Sequence, residues 1–176
     1  MTGIDESIAF QPVRIAVMTV SDSRTPETDK SGDRLVDGIA AAGHVLAERK
    51  IVADDVDTVT AQLKTWIGNA DIDVVIATGG TGLTGRDITP EAFEALYDKP
   101  IPGFGELFRM LSYETIGTST IQSRATGGLA GGTLLFALPG SPGAVKDGWE
   151  KILKYQLDNR LKPCNLVELM PRFFES

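Results

Sequence analysis

Two patterns of apolar and polar residues alternate along this chain, one typical of strands and the other of helices. Continuous apolar runs, rich in β-branched residues, stand at residues 13–20 (VRIAVMTV), 74–76 (VVI) and 133–138 (TLLFAL), and a looser alternation spans residues 44–52. Such segments are typical of strands, and the continuous ones favour strands buried on both faces of a parallel sheet. The pattern therefore predicts four strands.

Between and after these strands, apolar positions recur at steps of three and four residues, which predicts amphipathic helices. The clearest series are Leu35, Val36 and Ile39; Val56, Val59, Leu63 and Trp66; Phe104, Leu107, Phe108 and Leu111; and Val145, Trp149, Ile152, Leu153 and Leu157. Alternating strands and helices predict an α/β fold, a three-layer α/β/α sandwich with a mostly parallel, doubly wound sheet.

Turn and cap residues divide these elements. Residues 100–106 (PIPGFGE) predict a loop, and the glycine-rich residues 125–132 predict a hairpin or a strand–helix turn. Hydroxyl or acidic caps, two of them followed by proline at the first helical position, are Asp29 or Ser31, Thr89 with Pro90, and Ser141 with Pro142.

The loops that follow the predicted strands are the candidate functional region. They begin at Ser21, Asp54, Gly79 and Leu138. Ligands of open α/β sheets lie beyond the carboxyl ends of the strands, so we expect these four loops to gather on one edge.

Composition limits the classes of function. The chain has 176 residues, 42% of them hydrophobic, and no apolar run approaches the length of a membrane span. A single cysteine, Cys164, and an acidic rather than basic N-terminal stretch predict a cytoplasmic protein without a signal peptide. The net charge of −7 argues against a nucleic-acid surface and favours a small ligand. We expect an N-terminal arm at residues 1–12, one domain at residues 13–165 and a C-terminal tail at residues 166–176.

The loop at residues 79–87 (GGTGLTGRD) joins a buried strand to a helix start, a layout in which backbone N–H groups can face an anion. Gly80, Gly82 and Gly85 fit the G-x-G-x-x-G dinucleotide fingerprint, but that motif belongs in the first strand–helix unit. The spacing also approaches a P-loop, in which Arg86 and Asp87 would replace Lys and Ser/Thr. A tight connection whose glycines only supply positive φ is the alternative interpretation.

Seven short segments stand out when they are taken in order along the chain. They are residues 19–22 (TVSD), 29–32 (DKSG), 78–82 (TGGTG), 87–92 (DITPEA), 102–106 (PGFGE), 123–124 (SR) and 138–142 (LPGSP). Together they resemble the molybdenum cofactor biosynthesis protein B family, a relative of the molybdopterin adenylyltransferases. The resemblance extends from Val13 to about Asn165.

The resemblance implies molybdopterin biosynthesis: binding of molybdopterin, and its adenylylation with ATP and Mg²⁺ by a homotrimer or by a hexamer made of two trimers. Asp87 matches an essential aspartate of the family, and Asp54 matches a second one, with Asp55 as the neighbouring alternative. Both would hold Mg²⁺, and Arg124 or Arg86 would neutralise developing charge. The substrate- or nucleotide-binding residues that it implies are Ser21, Asp22, Gly79, Gly80, Thr81, Gly82, Gly103, Glu106, Ser123, Arg124, Pro139, Gly140 and Ser141.

Two alternatives to an adenylyltransferase stay open. One is a molybdopterin-binding or carrier protein of the same pathway that performs no chemistry. The other is an oxidoreductase that uses the G-x-G-x-x-G match, which requires an acidic residue closing the next strand about 20 residues further on. Glu106 is the acid near that distance, and it lies in the segment predicted to be a loop.

Overall fold

A computed structural model describes residues 3–175 of the chain. The strands, in chain order, are β1 (Gly3–Ile4), β2 (Arg14–Val20), β3 (Val45–Val52), β4 (Val74–Thr78), β5 (Lys99–Pro100), β6 (Thr126–Ala130), β7 (Thr133–Leu138) and β8 (Leu161–Lys162). The α-helices are α1 (Lys30–Ala41), α2 (Val56–Ile67), α3 (Thr89–Glu94), α4 (Pro102–Ile116), α5 (Pro142–Gly148) and α6 (Lys154–Gln156). Two 3₁₀ segments, Gly117–Gln122 and Val167–Arg172, and one turn of π-helix, Trp149–Leu153, complete the secondary structure.

One mixed sheet of six strands, in the order β3-β2-β4-β7-β6-β5, forms the middle layer. The first four strands in this order are parallel, whereas β6 and β5 run antiparallel to their neighbours. The four strands predicted from the apolar pattern are these parallel ones. The α/β/α fold with a mostly parallel sheet is thereby confirmed.

Alternating side chains of the central strands enter two separate cores. Ile15 of β2, Val74 of β4 and Leu134 of β7 lie in register across the sheet and face one core, which α1, α4 and α5 cover. Their neighbours one residue further on face the opposite core, against α2 and α3. Burial on both faces explains why these strands read as continuous apolar runs.

Two local predictions were wrong. Thr89 is the first residue of α3 rather than its N-cap, because its hydroxyl donates to the Gly79 carbonyl instead of accepting from the helix. Residues 102–106 are the start of α4 rather than a loop, since Pro102 suits a first helical position and Phe104 packs into the core.

The helix predicted from the series Val145 to Leu157 forms and buries that series in one core, but a turn of π-helix at Trp149–Leu153 interrupts it.

Residues 125–132 form a hairpin, one of the two predicted outcomes. Its first arm is β6, and the turn is made by Gly131 and Gly132, whose φ angles are +55° and +85°. The hairpin adds β6 antiparallel to β7, and β5 then pairs antiparallel with β6. The apolar pattern predicted neither β5 nor β6.

Both ends of the described part of the chain, residues 3–175, are held against the domain. In the N-terminal arm, β1 pairs antiparallel with β8, and the Phe10 ring lies 5.1 Å from His44 and 4.9 Å from the Arg160 guanidinium carbon. In the C-terminal tail, Val167 is buried in the core beside α5. The domain limits remain a prediction. Within residues 3–175, no helix is both long enough and apolar enough to cross a membrane.

Candidate functional site

The glycine turn after β4 lies at the carboxyl edge of the parallel strands and is shaped by close backbone contacts. Gly79 has a φ of +103°, and a Cβ there would stand 2.3 Å from the Val20 carbonyl oxygen. Its N–H donates to the Leu138 carbonyl at 3.0 Å, and its carbonyl accepts from the Thr89 hydroxyl at 2.8 Å. No residue other than glycine fits at position 79, so the turn is fixed between its two neighbouring strands.

Asp54 follows β3 and is joined to the loop after β2. Its carboxylate accepts from the Asp22 N–H at 3.0 Å, and its own N–H donates to the Asp22 carboxylate at 3.2 Å. The other carboxylate oxygen of Asp22 forms an ion pair with Arg86 of the central loop. The second carboxylate oxygen of Asp54 points toward Gly80, 3.5 Å from where a Cβ on that glycine would stand.

Asp87 is fixed at the far end of the central loop. One of its carboxylate oxygens accepts from the Thr84 N–H at 2.8 Å and from the Thr84 hydroxyl at 2.6 Å. These hydrogen bonds keep the pKa of Asp87 below its usual value. The carboxylate lies against Gly82, where a Cβ would stand only 2.8 Å from its Oδ2. Asp87 is therefore ionised at neutral pH and held in place.

The two aspartates approach the same glycine turn, Asp54 at Gly80 and Asp87 at Gly82. Partial burial, and then the negative charge of Asp87, raise the pKa of Asp54 above its usual value. A cation near both carboxylates would relieve this repulsion. Mg²⁺ binds one or two protein carboxylates and takes its other ligands from phosphates and water, so the pair suits a phosphate-bound Mg²⁺. Among the described residues, no cluster of three or more His, Cys, Asp or Glu side chains forms a complete metal cage.

Arg124 donates hydrogen bonds to the backbone of the central loop, residues 79–87. Its guanidinium donates to the carbonyls of Gly82 and Asp87, each at 2.7 Å, and it pairs with Glu91 of α3. Its backbone N–H donates to the Thr81 carbonyl at 3.2 Å. The side chain therefore contacts the loop that carries Asp87.

A cavity of about 480 Å³ opens beside the glycine turn. Gly80, Thr81, Gly82 and Asp87 form one wall, and the segment from Pro139 to Ser141 forms another, where Ser141 caps α5 as predicted. The remaining lining residues come from α4, the 3₁₀ segment after it and α5: Phe108, Ser112, Thr115, Ile116, Ser119, Gln122, Ser123, Gly143, Ala144 and Asp147.

A smaller cleft of about 220 Å³ lies on the other side of the same turn. Ser21, Ser31 and Gly79 are among its lining residues, and Gly140 lines both spaces. Ser31, a candidate cap in the sequence, instead donates its hydroxyl to the Gly140 carbonyl at 2.8 Å. The glycine turn thus separates two adjoining spaces.

Two predicted site residues lie elsewhere. Glu106 is exposed on α4 and lines a separate, open groove of about 890 Å³ on the far side of Arg124. Gly103 is exposed at the start of α4, and a Cβ there would meet no atom within 4 Å. This groove is larger than the cavity, but Asp87 does not line it, and Asp54 lines neither the groove nor the cavity. Gly103 and Glu106 were expected at the site from the family resemblance.

Several residues that build the site were not among the site residues predicted from the sequence. Thr84 and Thr89 hold Asp87 and Gly79, and the Thr78 hydroxyl donates to the Pro139 carbonyl at 3.0 Å. Polar residues of α4 also line the cavity. The three-residue spacing of Thr84 and Asp87 was a usable signal in the sequence. The role of the α4 residues in lining the cavity could be seen only once the path of the chain was known.

Known proteins share this fold and much of its sequence. A family model described as "Probable molybdopterin binding domain" matches residues 16–159. The chain is 50% identical over 159 residues to molybdenum cofactor biosynthesis protein B of Escherichia coli K12, covering 90% of this chain and 94% of that one. A crystal structure of molybdenum cofactor biosynthesis protein B is 46% identical, with a TM-score of 0.83 over 85% of this chain and 94% of that one. The tungsten cofactor synthesizing protein MoaB from Pyrococcus furiosus is 41% identical, with a TM-score of 0.73 over 82% and 92% of the two chains.

Proposed function

This chain belongs to the molybdenum cofactor biosynthesis protein B family, and we propose that, within molybdenum cofactor biosynthesis, it binds molybdopterin and adenylylates it with MgATP. One observation carries the proposal: the carboxylates of Asp54 and Asp87, from different loops, both approach one glycine turn, at Gly80 and at Gly82, and this turn borders a cavity. Two fixed carboxylates at such a turn suit a reaction between two anionic reactants.

The reaction joins the terminal phosphate of molybdopterin to the α-phosphorus of ATP and releases pyrophosphate. Both reactants are anions, so their repulsion must be offset. Asp54 and Asp87 would hold Mg²⁺, which supplies positive charge to the phosphates and orients them for in-line attack. The backbone of Gly79 to Gly82 allows phosphate to approach the chain closely. A phosphate nucleophile is already ionised, so neither aspartate needs to remove a proton.

A specific observation favours the second candidate, a molybdopterin carrier without catalytic activity. Among residues 3–175, those that line the cavity include Asp87 and Asp147 but no lysine or arginine. Arg86 and Arg124, the cations expected from the sequence, are paired with Asp22 and Glu91. Phosphate chemistry in this cavity therefore depends on the metal and on backbone N–H groups. In a protein that only binds the pterin, the cavity does not need to hold a triphosphate as well.

Labelled ATP separates the two candidates. Purified protein incubated with molybdopterin, Mg²⁺ and ATP labelled at the α-phosphate should transfer label to the pterin. Asp87→Asn should lower this transfer by at least about 100-fold, the loss typical for removal of one key electrostatic group. Asp57→Asn, which changes an exposed aspartate in the first turn of α2, is the matched control and should retain wild-type transfer.

Two results would change the assignment. Wild-type rates in Asp87→Asn would refute the role of this carboxylate. Tight binding of molybdopterin without transfer of label by the wild-type protein would favour the carrier.

The homotrimer or hexamer implied by the family is also a proposal. Its support is a set of exposed apolar side chains on α4 and the following 3₁₀ segment, including Met110, Tyr113 and Ile121, which are 62%, 59% and 81% exposed. Exposed apolar groups concentrated on one element are typical of protein–protein contacts.

A further inference from the structure

Every nitrogen of the Arg124 guanidinium already has a protein partner. Nε donates to the Gly82 carbonyl and Nη2 to the Asp87 carbonyl, both at 2.7 Å, while Nη1 pairs with the Glu91 carboxylate. The side chain is 29% exposed. If Arg124 turned its guanidinium away from the loop toward a substrate phosphate, the carbonyls of Gly82 and Asp87 would lose these hydrogen bonds.

The two carbonyls stand at opposite ends of one loop. Between Gly82 and Asp87 the chain is exposed, and Leu83 at its tip is 69% exposed. Within the loop, the Asp87 N–H donates to the Thr84 carbonyl at 3.0 Å, and Thr84 donates back to the Asp87 carboxylate. These internal bonds give the loop its shape, but Arg124 fixes that shape relative to β6 and α3.

We propose that Arg124 is a positioning residue that spans the loop from Gly82 to Asp87 and thereby holds the Asp87 carboxylate in place for Mg²⁺, with Glu91 holding Arg124 in turn. The inference rests on the proposed function in that Asp87 is taken as the group that holds Mg²⁺. Arginine suits this task because its planar fork presents several donors in fixed directions. A lysine ammonium carries the same charge but is a single point at the end of a flexible stem, which cannot span both carbonyls.

This difference between arginine and lysine separates positioning from a direct charge effect. If Arg124 acts by its charge on substrate, Arg124→Lys should retain most of the activity and Arg124→Gln should lose it. If Arg124 positions Asp87, both variants should lose activity to the same extent. Glu91→Gln, which keeps an acceptor but removes the charge, should show a smaller loss in the same direction.

The first measurement is the concentration of Mg²⁺ that gives half-maximal adenylate formation. Loss of a group that orients a metal ligand typically weakens metal affinity 10- to 100-fold, so Arg124→Lys and Arg124→Gln should each need about ten times more Mg²⁺. Arg109→Lys is the matched control. Arg109 donates to the carbonyls of Ser123 and Ala125 at 3.5 and 3.4 Å without reaching the loop, so its variant should keep the wild-type requirement.

The second measurement is hydrogen exchange at the N–H groups of Thr84 and Asp87 in the metal-free protein. Exchange at both should be at least tenfold faster in Arg124→Lys than in the wild type and unchanged in Arg109→Lys. This readout does not depend on any reaction. If the wild-type protein forms no adenylate, the proposed function fails, and exchange still tests the support that Arg124 gives to the loop.

Two outcomes would overturn the inference. One is a wild-type Mg²⁺ requirement in Arg124→Lys together with a loss in Arg124→Gln, which would assign the effect to charge alone. The other is unchanged exchange at Thr84 and Asp87 in Arg124→Lys, whatever the activity of the wild type.

Discussion

Asp54 and Asp55 are neighbours in the chain, yet they have opposite electrostatic surroundings. Asp55 is the exposed N-cap of α2, and its hydrogen bonds from Thr58 lower the pKa of its carboxyl. Asp54 is partly buried and faces the charge of Asp87, so the pKa of its carboxyl is raised. The sequence matched Asp54 to a functional aspartate with Asp55 as the alternative. At the scale of the single residue, the structure gives Asp55 a capping role and places Asp54 beside Asp87.

Titration of Asp54 provides a test of this pairing. In Asp87→Asn, the pKa of Asp54 should fall, because the variant removes one negative charge, but it should stay above the usual aspartate value because burial is the larger cause. The carboxyl carbon shifts of aspartates, followed by NMR against pH, measure both values. The pKa of Asp55 is the internal control and should not move. An unchanged Asp54 titration would show that the two carboxylates do not interact.

At the scale of the element, α1 and α2 begin in the same way but in different environments. Asp29 and Asp55 are their N-caps, and each side chain accepts from a backbone N–H three residues on. Asp29 is only 1% exposed and also binds the Thr19 hydroxyl at 2.6 Å and Arg49 at 2.9 Å. The sequence predicted a cap at Asp29 or Ser31, and the structure gives it to Asp29. The burial of Asp29 and its pairing with Arg49 follow from the packing of β2 and β3 against α1.

Replacing the two caps by alanine should therefore have unequal costs. Asp55→Ala should lower the free energy of unfolding by about 1 kcal/mol, the usual cost of losing an exposed cap. Asp29→Ala should lower it by about 3 kcal/mol or more, because it also leaves Arg49 without its buried partner. Urea denaturation followed by circular dichroism measures both.

A double variant identifies the cause of the difference between the caps. Arg49→Met in the Asp29→Ala background should recover part of the lost stability, since it removes a largely buried guanidinium whose remaining carboxylate partner is the half-exposed Asp33 at 2.8 Å. Equal costs at the two caps would mean that Asp29 acts only as a cap.

At the scale of the whole molecule, the parallel strands bring together four loops that are far apart in the sequence. The strand ends at Val20, Val52, Thr78 and Leu138 lie on one edge, so the turns that follow them meet there. The same packing leaves apolar side chains of α4 exposed. One edge of the molecule thus gathers the candidate site, while a nearby helix offers an apolar surface to a partner.

A charge placed on α4 should disrupt the proposed homo-oligomer. Met110→Glu should shift the protein from a trimer or hexamer toward the monomer, because the glutamate would lose its hydration in an interface. Since Met110 is 62% exposed, the fold itself should change in stability by no more than about 0.5 kcal/mol. Sedimentation at several protein concentrations gives the oligomeric state. Tyr155→Glu, at a 43% exposed position on α6, is the control. An unchanged oligomer in Met110→Glu would exclude α4 from the interface.

The sequence by itself determined the four parallel strands, the fold class and the loops that follow the strands. These depend on local apolar runs and on glycine, proline and cap residues, whose preferences act within a few residues of the chain. Asp87 and the glycine turn stood out for the same reason. The family resemblance indicated most of the other candidate residues.

Only the tertiary structure decided which of these residues act together. It turned a Pro/Gly segment into the first turns of α4, because burial of Phe104 and Phe108 outweighs the weak helix preference of Gly103 and Gly105. Separate elements also supply the partners of Arg124 and line the cavity. Such contacts join residues far apart in the chain, and a side chain's partners depend on packing rather than on its neighbours in sequence.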